Sequence, residues 1–225
     1  MSNNEEKYIS KLKQIVYDHI SADIKEKTVD KIVKIDLVNS HIEDKASAGF
    51  QDYYFLILNN EKLYNYSNDF FRQFKKRYSL QGIDNNYLYK LERHKKGILQ
   101  KIREDKLAQL YFDIFHKVVI KHGKGSREKD LGSFFAKLVH TFRPDEYCAL
   151  DNPIKNYFGL KKESFFISFI IISAAYKQWA QDNKKLIDIV REKFIQADKN
   201  GAIQHDRITD LKLLDLIFWS KANRQ

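Results

Sequence analysis

The sequence predicts a mostly α-helical protein, and three observations support this. The 225 residues include only two prolines and eight glycines, too few for the frequent turns of a β-sandwich. Apolar residues recur at helical spacing along most of the chain. With 43% hydrophobic residues, a chain of this length can bury a substantial core.

Cysteine content and hydropathy indicate a protein of the reducing cytoplasm. The single cysteine excludes an internal disulfide framework, a zinc ribbon and a four-cysteine iron-sulfur cluster. The beginning of the sequence, MSNNEEKYISKLKQ, is charged and has no apolar signal core. The best apolar run, 165–175, is too short to span a bilayer. We therefore expect a cytoplasmic protein without a membrane partner.

The charge balance favours a nucleic-acid partner. Forty basic and thirty acidic residues give a net charge of +10, as expected for a protein that binds a phosphate backbone. Lysine far outnumbers arginine, and isoleucine and asparagine are also abundant. An AT-rich genome would produce the same composition, so charge alone leaves both explanations open.

The first elements follow from the spacing of apolar residues. Ile9, Leu12, Val16 and Ile20 recur at helical spacing, and Thr28 is a candidate cap for the next helix. The aromatic and basic segment 50–78 is expected to be helical, although YYFLIL within it is also compatible with a strand. After the turn at 81–85, one helical stretch contains Leu88 and Leu91, and a longer helix is predicted over about 98–120. We place an amino-terminal helical and aromatic lobe at 1–95 and a core at 96–225, which together can form one compact domain.

The second half begins with a basic loop, HGKGSREKD at 122–130. The next helix, DLGSFFAKLVHTF, carries Lys137 and His140 one turn apart and is ended by Pro144. A short helix over 152–158 ends at Gly159, and the run FFISFIIISAAYKQWA predicts a buried central helix. The last two helices are DNKKLIDIVREKF and ITDLKLLDLIFW, with Trp219 expected to pack the final helix onto the core.

The stretch RPDEYCALDNPIKNYFGL, residues 143–160, contains the strongest candidate for a reactive side chain. Asp151 follows an apolar turn and precedes a helix, so its carboxylate would be partly desolvated yet kept ionised by helix amides. Because proline favours the first helical position, Pro153 makes Asn152 the expected cap and leaves Asp151 free. The alternative is that Asp151 is simply the helix cap.

The basic loop is a candidate phosphate-binding element. Its glycines would let backbone amides approach a phosphate, with Lys and Arg adding charge and the following helix adding its dipole. The candidate nucleic-acid-binding residues are His122, Gly123, Lys124, Gly125, Ser126 and Arg127. Lys155 would extend this basic track. The alternative is a solvated turn between helices.

The order of these elements resembles the helix-hairpin-helix DNA glycosylases. The matching pieces are HGKGS, SFFAKLVHTF and YCALDNPIKNYFGL, and the carboxy-terminal LLDLIFWSK is similar to the closing helix of bacterial 8-oxoguanine-glycosylase-like proteins. The resemblance covers about residues 105–221. It implies a helical glycosylase-like fold with a helix-hairpin-helix-like element, and a monomer that acts on double-stranded DNA without a cofactor.

The resemblance also implies roles for individual residues. Asp151 would stabilise the positive charge that develops on the sugar as the N-glycosidic bond breaks. Lys137 would attack C1′ to form a Schiff base, although a phosphate or base contact or a plain surface position are alternatives. Tyr147 and His140 are the candidates for the pocket of a flipped base. The expected role is DNA repair, or defence against phage that carry modified DNA.

Functions from other classes remain open. A non-catalytic nucleic-acid-binding module would explain the charge and the basic loop without a reactive Asp151. A metal-dependent nuclease is disfavoured, because the sequence has no carboxylates clustered at ligand spacing. The seven histidines form no zinc motif, and there is no nucleotide-binding glycine motif.

Overall fold

The prediction of a mostly α-helical fold is confirmed. The computed structural model describes residues 3–80, 82–122, 125–199 and 201–224. Within these ranges the helices are α1 (Asn3–Asp23), α2 (Val29–Lys31), α3 (Lys45–Ile57), α4 (Glu61–Tyr66), α5 (Phe70–Arg77), α6 (Asn85–Arg103), α7 (Leu107–Leu110), α8 (Gly132–Phe142), α9 (Asn152–Tyr157), α10 (Phe165–Asp182), α11 (Lys184–Ala197) and α12 (Asp210–Asn223). Two strands, β1 (Val118–His122) and β2 (Gly125–Lys129), form an antiparallel hairpin.

The amino-terminal helices follow the predicted pattern. Leu12, Val16 and Ile20 are buried where α1 packs against α10. Thr28 occupies the cap position of α2, but its hydroxyl accepts from the amide of Lys25 instead of capping the helix. Beyond α2 the chain continues over Ile32–Glu43 in wider helical turns, whose backbone bonds are of the i→i+5 type. The segment YYFLIL is not a strand: its first five residues form the end of α3, and Leu58 directly follows that helix.

The long helix predicted over about 98–120 is wrong. One helix, α6, contains Leu88, Leu91 and Ile98 but ends at Arg103, and Asp105 then adopts a left-handed conformation with φ of 57°. After α7 and a short wide-turn segment (Tyr111–Phe115), Lys117 also has a positive φ, 45°, and the chain enters β1. The β-branched run Val118-Val119-Ile120 suits this strand, which its pairing with β2 stabilises.

The carboxy-terminal half agrees with the predicted helices. Pro144 follows the end of α8, and α10 is the buried central helix. Gly159 ends α9 in a left-handed conformation, φ 74°. Its amide donates to the carbonyl of Asn156, and the amide of Leu160 donates to the carbonyl of Lys155. This pair of bonds is the Schellman arrangement, which places glycine at that position.

Within the described residues, one hydrophobic cluster joins the two halves of the chain. It contains Val16 and Tyr54 as well as Phe169 and Leu214. The lobe boundary predicted at residue 95 falls inside α6. Among the described residues, no helix is both long and apolar enough to cross a membrane.

Candidate active site

The structure places Asp151 at the start of α9 as its cap. Its Oδ1 accepts a hydrogen bond from the amide of Ile154 at 3.2 Å, and α9 begins at Asn152 with Pro153 in its second position. The expectation that Asn152 is the cap and Asp151 is free is therefore wrong. Asp151 has the extended backbone typical of a cap, with φ −130° and ψ 175°, and this directs its side chain back over the first helical turn.

Capping uses only one oxygen of this carboxylate. The other oxygen, Oδ2, lies 3.8 Å from the Nζ of Lys137, and the two side chains are only 12% (Lys137) and 15% (Asp151) exposed. Lys137 lies in the middle of α8. Folding thus brings together the two residues singled out as catalytic candidates, 14 positions apart in the sequence, as a partly buried ion pair.

Both residues line a cavity of about 450 Å³, which we call the reaction cavity. Its volume is in the range of small-molecule and cofactor sites. Aromatic residues on its wall are Phe50, Tyr78 and Trp219. Trp219 is 38% exposed, so it does not simply pack the final helix onto the core as expected. The remaining lining residues are His41, Asp44, Gln51, Arg77, Ser79, Ala149, Ile154, Lys212, Asp215 and Leu216.

Helix α12 adds a second pair of ionisable groups, Lys212 and Asp215, to this cavity. Both residues are almost fully buried. Burial lowers the pKa of Lys212 to about 8 and raises the pKa of Asp215 to about 7. The Nζ of Lys212 lies 4.3 Å from the centre of the Tyr54 ring, a distance suited to a cation–π interaction. Two groups that titrate near neutrality in one cavity are typical of functional sites.

Three oxygens of cavity-lining residues have no hydrogen-bond partner among the described residues. They are Oε1 of Gln51, Oδ1 of Asp215 and the hydroxyl of Tyr78, while Oδ2 of Asp215 accepts from the amide of Ala149 at 2.5 Å. A buried acceptor without a donor costs about 1–3 kcal/mol. A ligand that presents N–H or O–H groups to these oxygens would recover that free energy.

Lys212, Asp215 and Gln51 were not predicted as site residues from the sequence. The run LKLLDLIFW was interpreted only as a packing helix, yet its charged residues are three positions apart and therefore share one face. Since every neighbouring residue is apolar, that face is buried. A charged pair inside an otherwise apolar helix was the available signal. Gln51 gave no such signal, because one amide within an aromatic segment is unremarkable.

His140 and Tyr147, predicted to form a base pocket, do not line the reaction cavity. His140 is fully buried, with its ring nitrogens 2.9 Å from the Tyr54 hydroxyl and 2.7 Å from the carbonyl of Tyr147. Burial lowers the pKa of His140 to about 3. The ring of Tyr147 stacks on Phe169, and its hydroxyl donates to Asp105. Both residues are held by structural partners, which explains why neither faces the cavity.

Most of the segment predicted as a basic loop is instead strand β2 of the hairpin. His122 pairs with Gly125, and Ser126 and Arg127 continue along β2, whereas Gly123 and Lys124 lie outside the described residues. The following helix starts only at Gly132, after β2. The expectation that its dipole acts at the loop is therefore wrong. Lys155 is buried, and its Nζ donates to the carbonyls of Lys161 and Glu163 at 3.3 and 2.5 Å.

No cluster of three metal-ligating side chains occurs in the part of the chain that the structure describes. The described geometry thus consists of an ion pair, a second buried pair of ionisable groups and aromatic walls around one cavity. Comparisons with family models, with curated proteins and with solved structures found no match to this chain.

Proposed function

We propose that this protein is a DNA glycosylase, which flips a modified base out of the duplex and cleaves its N-glycosidic bond. The observation that carries the proposal is the Asp151–Lys137 pair, 3.8 Å apart, on the lining of the reaction cavity. A carboxylate can stabilise the positive charge that develops on the sugar, and an adjacent amine can act as a nucleophile. The net charge of +10 supports a polyanionic partner.

The cavity suits a flipped base in both size and chemistry. A base that has left the stack needs apolar or aromatic surfaces against its faces and hydrogen-bond partners along its edge. Phe50, Tyr78 and Trp219 supply the aromatic surface. The Gln51 oxygen is an acceptor without a partner among the described residues, and the unpartnered Asp215 oxygen accepts when the carboxyl is ionised and donates when it is protonated. Gln51 therefore favours a base whose edge carries an N–H donor.

Asp151 is the residue proposed to stabilise the transition state. As the bond between C1′ and the base breaks, positive charge develops on the sugar, and a nearby carboxylate lowers the energy of that state. Its Oδ1 is fixed by the amide of Ile154, so Oδ2 remains for the sugar or the attacking group. The hydrogen bond to the helix amide also holds the side chain in place, which limits the reorganisation needed during the reaction.

Lys137 is the proposed nucleophile in a lyase branch of the reaction. The Lys137 ammonium first gives up a proton to solvent, and the neutral amine then attacks C1′. The new C–N bond forms as the bond to the base breaks, and the proton that the attacking amine loses passes through Asp151 to the departing base. Ring opening then gives a Schiff base. In a purely hydrolytic enzyme, water replaces the amine, Asp151 accepts its proton, and Lys137 contacts the substrate as a cation.

The test is release of free base from defined duplexes that carry damaged bases and from phage DNA that carries hypermodified cytosines. We expect Asp151→Asn to abolish release while DNA binding persists, because asparagine can still cap α9 but has no charge. The matched control is Asp84→Asn. Asp84 caps α6 in the same manner through the amide of Tyr87 and does not line the cavity.

Two outcomes would contradict the proposal. Wild-type turnover by Asp151→Asn would refute the role of the carboxylate. Salt-sensitive DNA binding without release of any base would favour the non-catalytic binding module. Activity on damaged duplexes would indicate repair, and activity only on modified phage DNA would indicate defence.

A further inference from the structure

A second groove adjoins the reaction cavity. It has a volume of about 400 Å³ and is lined by residues that include Ser79, Lys129, Ser133 and Asn152. Ser79 lines both spaces, and Asn152 directly follows Asp151 in the chain. We call this space the basic groove. A nucleotide whose base enters the reaction cavity would leave its backbone close to this groove.

Cationic groups from two separate elements converge beside the basic groove at Gly82 and Ile83. A Cβ atom added to Gly82 would lie 2.9 Å from a guanidinium nitrogen of Arg127 and 3.0 Å from the Nζ of Lys129. The Nζ of Lys75, at the end of α5, donates to the carbonyl of Ile83 at 2.5 Å. The β-hairpin and α5 thus direct three positive groups to one place.

The register of the hairpin explains this convergence. Arg127 pairs with Ile120, and Lys129 pairs with Val118. Residues directly opposite each other in an antiparallel pair share a face, and Ile120 is buried. Arg127 and Lys129 therefore lie on the face of the hairpin that turns toward the body of the protein. Glu128 pairs with the exposed Val119 on the other face.

Positive charge dominates the surroundings of Lys129. Burial lowers its pKa, and the charges of Arg127 and Lys75 lower it further. Neither Arg127 nor Lys75 makes an ion pair with any residue that the structure describes. Positive charges held close together repel one another, and an anion bound between Arg127 and Lys75 would lower that repulsion.

One carboxylate, that of Asp130, also lines the groove. Its oxygens are already engaged by the Tyr111 hydroxyl at 2.6 Å, a ring nitrogen of His116 at 3.1 Å and the amide of Gly132 at 2.8 Å. These contacts fix Asp130 at the start of α8, so it is committed to local structure. The three cations of Lys75, Arg127 and Lys129 outnumber this one carboxylate.

We infer that Lys75, Arg127 and Lys129 form a phosphodiester-binding site that holds the DNA backbone beside the flipped nucleotide. This inference rests on the proposed function for its choice of DNA as the partner. The shared residue Ser79 connects the two spaces, so one nucleotide and its neighbouring phosphate can occupy both. The site shares Arg127 with the nucleic-acid-binding residues predicted from the sequence, and it adds Lys129 of β2 and Lys75 of α5.

The test measures binding of a short unmodified duplex by fluorescence anisotropy over a range of salt concentrations. We expect the double variant Arg127→Gln/Lys129→Gln to bind the duplex more weakly. The slope of log K against log salt should become less steep by about two, because each phosphate contact contributes about 0.9 to that slope. Lys75→Gln should make the slope less steep by about one. The matched control is Lys185→Gln/Lys199→Gln, which removes the same charge from exposed positions that line neither space.

An unchanged slope in Arg127→Gln/Lys129→Gln, or a loss no larger than that of the control, would overturn the inference. An equal loss of binding to polyglutamate would also overturn it, by indicating an acidic protein partner. Because the assay uses unmodified DNA and involves no chemistry, it is independent of base release. A reduced slope without base release from any substrate would refute the glycosylase proposal and leave the phosphodiester site intact.

Discussion

The buried carboxyl of Asp215 predicts a pH-dependent stability that a single substitution removes. Its pKa is about 7 in the folded protein, against an ordinary value of 3.8. A carboxyl that holds its proton more tightly when folded contributes stability below its unfolded pKa and loses that contribution as the pH rises through the folded pKa. The contribution of Asp215 therefore declines between about pH 4 and pH 7.

The size of this effect follows from the two pKa values. Each pKa unit between the folded and unfolded protein corresponds to about 1.36 kcal/mol of folding free energy, so the whole pKa difference of Asp215 corresponds to about 4 kcal/mol. Roughly 3 kcal/mol of this stabilisation is lost between pH 4 and pH 7. That window lies below the Lys212 pKa of about 8, so Lys212 remains largely protonated in the wild-type protein throughout it.

The substitution is Asp215→Asn, which keeps an oxygen able to accept from the amide of Ala149 but removes the titration. Urea unfolding, followed by the fluorescence of Trp179 and Trp219, gives the free energy of unfolding at each pH. We expect the free energy of unfolding of the variant, relative to that of the wild type, to rise by roughly 3 kcal/mol from pH 4 to pH 7. Asp188→Asn is the control, since the Asp188 side chain is 43% exposed. A difference that does not change with pH would refute the reasoning.

Two further predictions concern Lys137 and the glycine at the end of α9. Borohydride should trap a covalent adduct between the wild-type protein and substrate DNA, and the Lys137→Gln variant should form no such adduct. If the wild-type protein gives no adduct, Lys137 is excluded as the nucleophile and water is the attacking group. Gly159→Ala should lower the free energy of unfolding by about 1–2 kcal/mol, because Gly159 has a φ of 74°. Gly97 lies inside α6 with open space at the position of a Cβ, so Gly97→Ala should instead raise the free energy of unfolding by about 0.5–1 kcal/mol. Equal effects of the two substitutions would contradict this account.

The helices were predictable where one face is consistently apolar. The spacing of Leu12, Val16 and Ile20 predicted α1, and the uniformly apolar run of α10 predicted its central position. The β-hairpin was not predictable in this way. The sequence remains as apolar at Val118, Val119 and Ile120 as in the preceding helix, so hydrophobicity does not mark the change of structure. The strand conformation of these residues depends on their pairing with residues 125–129.

Only part of the reaction cavity was predictable from the sequence, because some of its residues meet only through tertiary packing. Asp151 and Lys137 are close in sequence and lie on consecutive helices, and the resemblance to the helix-hairpin-helix DNA glycosylases associated them. Lys212 and Asp215 come from α12, more than sixty residues away, and join the cavity only through tertiary packing of α12 on α9 and α10. Apolar residues recurring with a period of 3.6 indicate that one face of a helix is buried, but they do not indicate which element that face packs against.

The two interpretations of Asp151, as a helix cap and as a reactive carboxylate, are compatible because a carboxylate has two oxygens. The hydrogen bond from the amide of Ile154 engages Oδ1, and Oδ2 faces Lys137. Capping therefore orients the group that would do the chemistry. Asp151→Asn keeps the cap and removes the charge, whereas Asp151→Ala removes both, at a further cost of about 1 kcal/mol in stability. If the two variants lose activity equally while the alanine variant alone shows this further loss of stability, the charge and not the cap is what the reaction requires.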